Sequence, residues 1–430
     1  MSRDVALLLG ARVAMSATRA STSIIVPLYL AELGYSGVDL GVLFLVVALS
    51  AAVQSVVIGV LADRFGRKLF VVAVPLVTAA SAVAFVATTA TALIFVTAAL
   101  GSFGRGMGAG GGSIGPYQSA EQALVSSLVP AERRTSVFGA LASASAAGGL
   151  AGSLLALLPQ AGLGLGLTTA GADRFALLMV AAFALLAGLL AIPVHQPPRA
   201  PVPRRRLFAI PTRSRGLLYR LWATNVVNGI GVGLFGPFLT YWFYVRFGVG
   251  TTELGLMFAA INAVTIGTNL AAGRIARTGG LVRSVVWLRL AQGLLLVPTA
   301  LAPTLPLAGA VYLVRIIVQR LGMSMRQSFV MGAADPEERA AVASMGQIPG
   351  QAAGALVPPV TGYLMDEVSL AVPFVVAAGF QVAYAALFHL FFARHALPEE
   401  RERVLGGPGG APGIGRGGPG GGPGTGPGAG

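Results

Sequence analysis

Twelve long apolar runs, parted by short polar breaks, make up most of this chain, and they exclude a water-soluble fold. In the first half they are Val5–Leu33, Gly41–Ala62, Leu69–Thr89, Leu93–Leu128, Thr135–Leu158 and Phe175–Pro193. In the second half they are Leu217–Phe247, Glu253–Ala272, Val282–Ala302, Leu305–Ala334, Ala340–Met365 and Leu370–Phe392. A helix needs about 20 apolar residues to cross the hydrocarbon core, so each run is a candidate span. Only 11% of the 430 residues are charged and 55% are hydrophobic, against roughly 25% charged in a soluble domain. The expectation is an all-α integral membrane protein with twelve transmembrane helices.

The net charge is +14, which in a soluble chain would suggest nucleic acid. Here the placement of the arginines matters more than their number. One set of breaks carries Arg64, Arg67 and Lys68, then Arg133 and Arg134, then Arg199 through Arg220, then Arg274, Arg277 and Arg283, then Arg339, then Arg394, Arg401 and Arg403. The alternate breaks carry little: Glu32 and Asp39, Asp173 and Arg174, Arg246, Asp366 and Glu367. The positive-inside rule puts the first set in the cytoplasm. With an even number of spans both termini lie inside, and the expected location is the cell membrane. No basic, aromatic-interleaved soluble domain exists to bind nucleic acid. The chain has no cysteine and three scattered histidines, so no thiolate site, metal site or cofactor is expected.

The hydrophilic break His195–Arg206 is rich in proline and arginine and divides the chain. The expected units are a first six-helix bundle (1–194), a basic linker (195–216), a second bundle (217–394) and a Gly/Pro-rich tail (395–430), which is expected to be disordered. An internal repeat supports the division. VPAERRTSVFGA, Val129 to Ala140, reads against DPEERAAVASMG, Asp335 to Gly346. Asp335-Pro336-Glu337-Glu338 reads as a capping box opening the eleventh helix. Gly148 then falls opposite Gly354. Gly148 and Gly152, like Gly350 and Gly354, have the small-xxx-small spacing of packed membrane helices.

The break Gly59–Lys68 must sit in water, since it holds one carboxylate and three cations. Gly59 is read as a close-approach position and Gly66 as the glycine of a tight turn. The pattern Gly-x-Leu-Ala-Asp-Arg-x-Gly-Arg-Lys resembles the signature loop of the major facilitator superfamily. The twelve-run layout, basic linker and partial repeat extend the resemblance to nearly the whole chain before the tail. It implies two pseudo-symmetric six-helix bundles around a central cavity that opens to one side at a time. It also implies that Asp63 and Arg67, with Arg64 and Lys68 beside them, latch the bundles when the cytoplasmic side closes. The alternative reading is that these charges only fix topology.

Charged and amide side chains at membrane depth are expected to face the bundle interior, because lipid exposure of a charge costs about 2.5–3.5 kcal/mol or more. Arg105, in GRGMGAGGGSIG, resembles the family's arginine of the fourth helix. That glycine run lacks the strand and the Lys-Ser/Thr of a phosphate loop. Glu121 is the one acidic residue well inside a run and is the candidate proton carrier, with a structural arginine partner as the alternative. Arg12 and Arg19 share a face of the first run. Asn225 and Asn228 share a face of the seventh. Arg315, Gln319, Arg320, Arg326 and Gln327 lie along the tenth, and the repeat puts Gln327 opposite Glu121. Phe235 to Tyr244 is expected to form an interfacial aromatic belt, with a cavity wall as the alternative. The fifth run has glycines but lacks the glycine-proline signature of the family's drug antiporters.

The expected function is secondary active transport of a small organic solute by alternating access, coupled to protons and in the export direction, by a monomer. A proton-independent facilitator or symporter of a polar or anionic solute is the alternative in the same class. A non-transporting membrane receptor or scaffold is the alternative in another. No nucleophile–base pair suggests an enzyme.

Overall fold

The computed structural model describes residues 3–104, 115–196, 211–275, 281–335 and 337–393. Among them every regular element is helical: α1 (Arg3–Glu32), α2 (Gly37–Phe65), α3 (Arg67–Ala87), α4 (Thr91–Gly101), α5 (Pro116–Leu128), α6 (Ala131–Leu155), α7 (Leu158–Gly164), α8 (Thr169–Ala191), α9 (Arg215–Gly233), α10 (Leu239–Phe247), α11 (Thr251–Ile275), α12 (Leu281–Leu294), α13 (Leu296–Leu301), α14 (Leu305–Ala333), α15 (Arg339–Met345), α16 (Ile348–Leu356), α17 (Pro358–Glu367) and α18 (Val372–Phe392). The protein is an all-helical multi-pass membrane protein.

Seven stretches among the described residues are long and apolar enough to cross a membrane: Gly37–Gly59, Arg67–Ala87, Ser136–Gly164, Thr169–Ala191, Val282–Leu301, Leu305–Ala333 and Val372–Phe392. The runs that miss this measure include those with the most polar interiors. α1 carries Arg12 and Arg19 with five buried hydroxyl residues, Ser16, Thr18, Ser21, Thr22 and Ser23. Four of these hydroxyls turn back onto the helix, as in Thr18 to the Ala14 carbonyl at 3.0 Å and Ser21 to the Ala17 carbonyl at 2.8 Å, while Ser16 donates to Ser145 of α6 at 3.4 Å. Several expected runs are also interrupted. Pro116, Pro159, Pro306, Pro349, Pro358 and Pro373 sit in the first turns of new segments, where proline's missing amide costs nothing.

Small residues let helices touch backbone to backbone. Gly148 and Gly152 lie on α1, where a Cβ would strike the carbonyls of Val13 and Ala17. Gly350 and Gly354 lie on α9, against Asn225 and Gly229. In each case two glycines four apart meet two residues four apart, one ridge seated in one groove. The packing matches Gly148 with Gly350 and Gly152 with Gly354, one helical turn off the register that the sequence repeat suggested.

Helices from before and after the linker meet at the arginine-poor end. Asp366 of α17 accepts the Gly37 amide at 3.2 Å and the Val38 amide at 3.0 Å at the start of α2. Beside it Gly41 and Gly362 allow α2 and α17 to close on each other, since a Cβ on either would meet backbone of the other helix. Thr240 donates to the Ser23 carbonyl at 3.1 Å, and the Phe44 and Phe238 rings meet edge-on at 5.2 Å. Deeper in, Asn262 of α11 donates to Ser153 of α6 at 3.2 Å.

The aromatic stretch Phe235–Tyr244 is a correction to the interfacial belt. Phe235, Phe238, Trp242 and Phe243 are wholly buried, and Trp242 packs on Phe374 with ring centroids 4.8 Å apart. These rings fill the closed end because α10 packs inward on α1 and the start of α18; a belt would need their edges in the headgroups. The eleventh run is corrected too. α15 begins at Arg339 with Glu338 as an N-cap that makes no side-chain cap bond, and Pro336 lies outside the described residues.

Candidate functional site

Two polar groups lie at membrane depth, one on either side of the linker. In the first, Arg12 of α1 and Glu121 of α5 form an ion pair. Arg12 is 4% exposed and Glu121 not at all. Arg12 lies nine residues into α1 and Glu121 seven residues before the end of α5. At 1.5 Å per residue both are about 10–14 Å inside the arginine-rich end. Tyr117, wholly buried, precedes Glu121 by one turn on the same face. One turn further along α1 than Met15, Arg19 donates to the Ser102 carbonyl at 3.1 Å, just past the end of α4. Ser102 has φ +56°, a left-handed helix end that turns its carbonyl towards α1.

The second group is built on α9, α12, α14 and α18. Asn225 and Asn228 are three residues apart on α9 and so occupy one face. Arg326 of α14 donates to the Asn225 side-chain oxygen at 2.7 Å, and Arg289 of α12 donates to that of Asn228 at 3.0 Å. Asn225 is itself fixed by donating to the Gly346 carbonyl at 2.6 Å. Arg289 also stands over the Tyr384 ring of α18 at 4.9 Å, and Gln292 donates to Gln381 at 3.2 Å. Earlier in α14, Arg315 is wholly buried over the faces of Phe235, at 4.4 Å, and Tyr312, at 5.6 Å, and donates to Gln319 at 3.4 Å.

The two groups differ in charge. Arg12 has a carboxylate. Arg289, Arg315 and Arg326 have amides and rings. The sequence holds no acidic residue between Glu253 and Asp335, and Asp366 and Glu367 lie at the far end of α17. The Nε atoms of Arg289, Arg315 and Arg326 are buried without a hydrogen-bond partner.

The structure thus unites Asn225 with Arg326, and Asn228 with an arginine that sequence reasoning missed. Arg289 was legible: it is a charge at depth in the ninth run, the same signal that singled out Arg105. Gln319 joins Arg315, while Gln327 is exposed and stands apart from the Asn225–Arg326 contact. Arg105 and the glycine run after it lie outside the described residues.

At the arginine-rich end, Gly66 has φ +106° and ends α2 as α3 begins, so the glycine of the turn is required. The Gln196 side chain covers this turn and accepts from the Lys68 amide at 3.1 Å. Arg67 donates to the Ala123 carbonyl of α5 at 2.7 Å, and Arg64 lies over the neighbouring Phe65 ring at 5.5 Å. Gly59 is a correction: nothing lies within 4 Å of where its Cβ would stand, so it supports no close approach here. The Asp63 side chain is outside the described residues.

Across the loop between α14 and α15, Glu338 gathers the start of α9. It accepts from the amides of Thr212 at 2.8 Å, Arg213 at 3.1 Å and Ser214 at 2.7 Å. Desolvation pushes its carboxyl up, but the Arg213, Ser214 and Thr212 amides together with the Ser214 hydroxyl outweigh that and hold it near 2.

No group of three metal-ligating side chains occurs among the described residues. The second group brings arginine forks, side-chain amides and aromatic faces together at membrane depth.

The Major Facilitator Superfamily model matches residues 7–325. Solved structures of similar fold include a bacterial homologue of the human lysosomal transporter Spinster, inward-facing and occupied, at 15% identity and TM-score 0.70, covering 90% of this chain and 96% of that one. The nucleoside transporter NupG is similar at 14% identity and TM-score 0.67, covering 91% and 99%. The human organic anion transporter MFSD10 (TETRAN) is similar at 18% identity and TM-score 0.55, covering 90% and 99%. Among curated proteins, none matches the sequence.

Proposed function

Since the chain belongs to the Major Facilitator Superfamily, and so is a membrane transporter and not an enzyme, we propose that it moves a small organic solute across the plasma membrane by alternating access, coupled to protons through Arg12 and Glu121. The two working units are 1–194 and 217–394, joined by the 195–216 linker, with both termini cytoplasmic and one chain sufficient.

The observation that carries this reading is where the two units touch. The contacts of Asp366 with Gly37 and Val38, of Thr240 with Ser23 and of Phe44 with Phe238 gather at the arginine-poor end. The Arg12–Glu121 pair and the contacts of Asn225 with Arg326 and of Asn228 with Arg289 lie nearer the arginine-rich end. Contacts gathered at the arginine-poor end support the reading of a carrier closed outside and open to the cytoplasm. Arg67 donates to the Ala123 carbonyl of α5, and the latch implied by the signature loop would form when the cytoplasmic end closes.

Glu121 is the proton carrier in this reading, supported by its burial and its pairing with Arg12 beside Tyr117. Protonation would release Arg12 for a solute or a carbonyl, and this exchange is the coupling step. The test is uptake and release of candidate solutes in proteoliposomes, with and without an imposed pH gradient. Glu121→Gln is expected to exchange solute across the membrane yet fail to accumulate it against a gradient. Undiminished uphill transport with unchanged pH dependence in that variant would leave the pair a structural one and favour a proton-independent carrier.

A further inference from the structure

We propose that Arg289 and Arg326 form an oxyanion site, so that the transported solute carries a carboxylate or a phosphate. This deepens the transporter reading and rests on it. Asn225 and Asn228 present their oxygens one turn apart on α9 and hold one guanidinium each, at 2.7 and 3.0 Å. Two arginine forks are therefore set side by side by neutral acceptors. An amide oxygen fixes the direction of a guanidinium but leaves its charge in place. The Tyr384 face under Arg289 orients it further and is likewise uncharged.

Burial of such a charge costs about 2.5–3.5 kcal/mol on insertion scales. At Arg12 the cost is met visibly, by the Glu121 carboxylate. Arg315, over the Phe235 and Tyr312 rings, like Arg289 and Arg326, has only neutral partners among the described residues. Around Arg289 and Arg326 the stretch from Glu253 to Asp335 supplies no carboxylate, and each arginine keeps a buried Nε donor unused. Planar forks with free donors match a carboxylate or phosphate in two-point contact. Arg289 lies eight residues into α12 and Arg326 seven residues before the end of α14, about 10–12 Å from the arginine-rich end. Glu121 is at the same depth across the divide. An anion bound there would face the proton site, which suits co-transport of charge and proton through one passage.

The test is equilibrium binding to the detergent-solubilised full chain, read as the shift in thermal midpoint with inorganic phosphate in one arm and acetate in the other. Wild type is expected to be stabilised in a saturable way by at least one of them, and the arm that responds names the oxyanion. Asn228→Asp places a carboxylate on Arg289 without changing side-chain size. It is expected to keep or raise the midpoint without ligand, and to weaken anion binding about tenfold or more, the equivalent of one lost charge-assisted contact. Arg326→Gln, which keeps a donor for Asn225, is expected to weaken it similarly. Absence of stabilisation by both anions in wild type, or unaltered affinity in Asn228→Asp and Arg326→Gln, overturns the site. Anion binding without transport of any carboxylated or phosphorylated solute would leave the site standing and remove the transporter reading; transport of a neutral solute with no anion binding would do the opposite.

Discussion

The carboxylate of Asp366 caps the Gly37 amide across 329 positions of sequence, joining the last turn of α17 to the first turn of α2. The start of α2 already has its own capping box, in which Ser36 and Asp39 bond reciprocally. Asp366 is thus a second anion at one helix N-terminus, favoured by the helix dipole and supplied from the other unit. It binds only while the arginine-poor ends stay together. Asp366→Asn should shift the balance towards the outward-open form by about two- to fivefold, the range expected for a charge at a helix end. The chain has no cysteine, so spin labels at Val42→Cys and Val360→Cys report the α2–α17 distance directly. An unchanged distance distribution in the Asp366→Asn background counts against a latch.

Arg12 and Glu121 are expected to behave as a buried pair. Arg12→Met leaves a carboxylate alone in the interior and should cost about 3–5 kcal/mol. Arg12→Met combined with Glu121→Gln removes both charges and should recover much of that loss. Thermal unfolding of the two variants in detergent decides this; equal destabilisation of single and double variants would mean the charges do not sense each other.

Backbone contacts rank the glycines. A Cβ on Gly229 would strike the Gly350 carbonyl, and overpacking of this kind costs about 1–3 kcal/mol. Gly59 has open space around it, and alanine there removes a helix-interior glycine, worth about 0.5–1 kcal/mol in the stabilising direction. Gly229→Ala should lower the yield of folded protein and its thermal midpoint, while Gly59→Ala should not. A reversed order in these two midpoints contradicts the packing described.

Glu338 makes a prediction in pH. Its carboxyl is held near 2, below the ordinary 4.5. Protons therefore bind the unfolded form first, and the stabilisation is complete above about pH 4.5 and fades as pH falls towards 2. The gap in thermal midpoint between wild type and Glu338→Ala should be constant at neutral pH and shrink across that window. A gap that persists unchanged at the acid end would show that the carboxylate charge is not what holds Thr212 to Ser214.

The signature loop gives the fifth expectation. Asp63→Asn should abolish solute cycling in proteoliposomes while protein levels stay near wild type. Wild-type rates would show that Asp63 serves topology alone.

Much of this protein was settled by one-dimensional pattern. Length and spacing of apolar runs made it a multi-pass helical membrane protein, because backbone groups in lipid must bond within their own helix. The ten residues from Gly59 to Lys68 were enough to place it in its family. The charges at depth were visible too, since lipid makes any such residue conspicuous. Partnership was not. Arg12 and Glu121 are 109 positions apart, Asn228 and Arg289 are 61 apart, and no periodicity links them; each pair exists because the tertiary packing brings its two helices together, α1 with α5 and α9 with α12. The aromatic stretch around Trp242 shows the same limit. Its composition suits an interface or a core equally, and only the approach of α1 and α18 made it a plug. Local chemistry fixed what each segment could be. The tertiary packing decided which cation meets a carboxylate and which meets amides and rings, because that depends on distances between helices that the sequence does not encode locally.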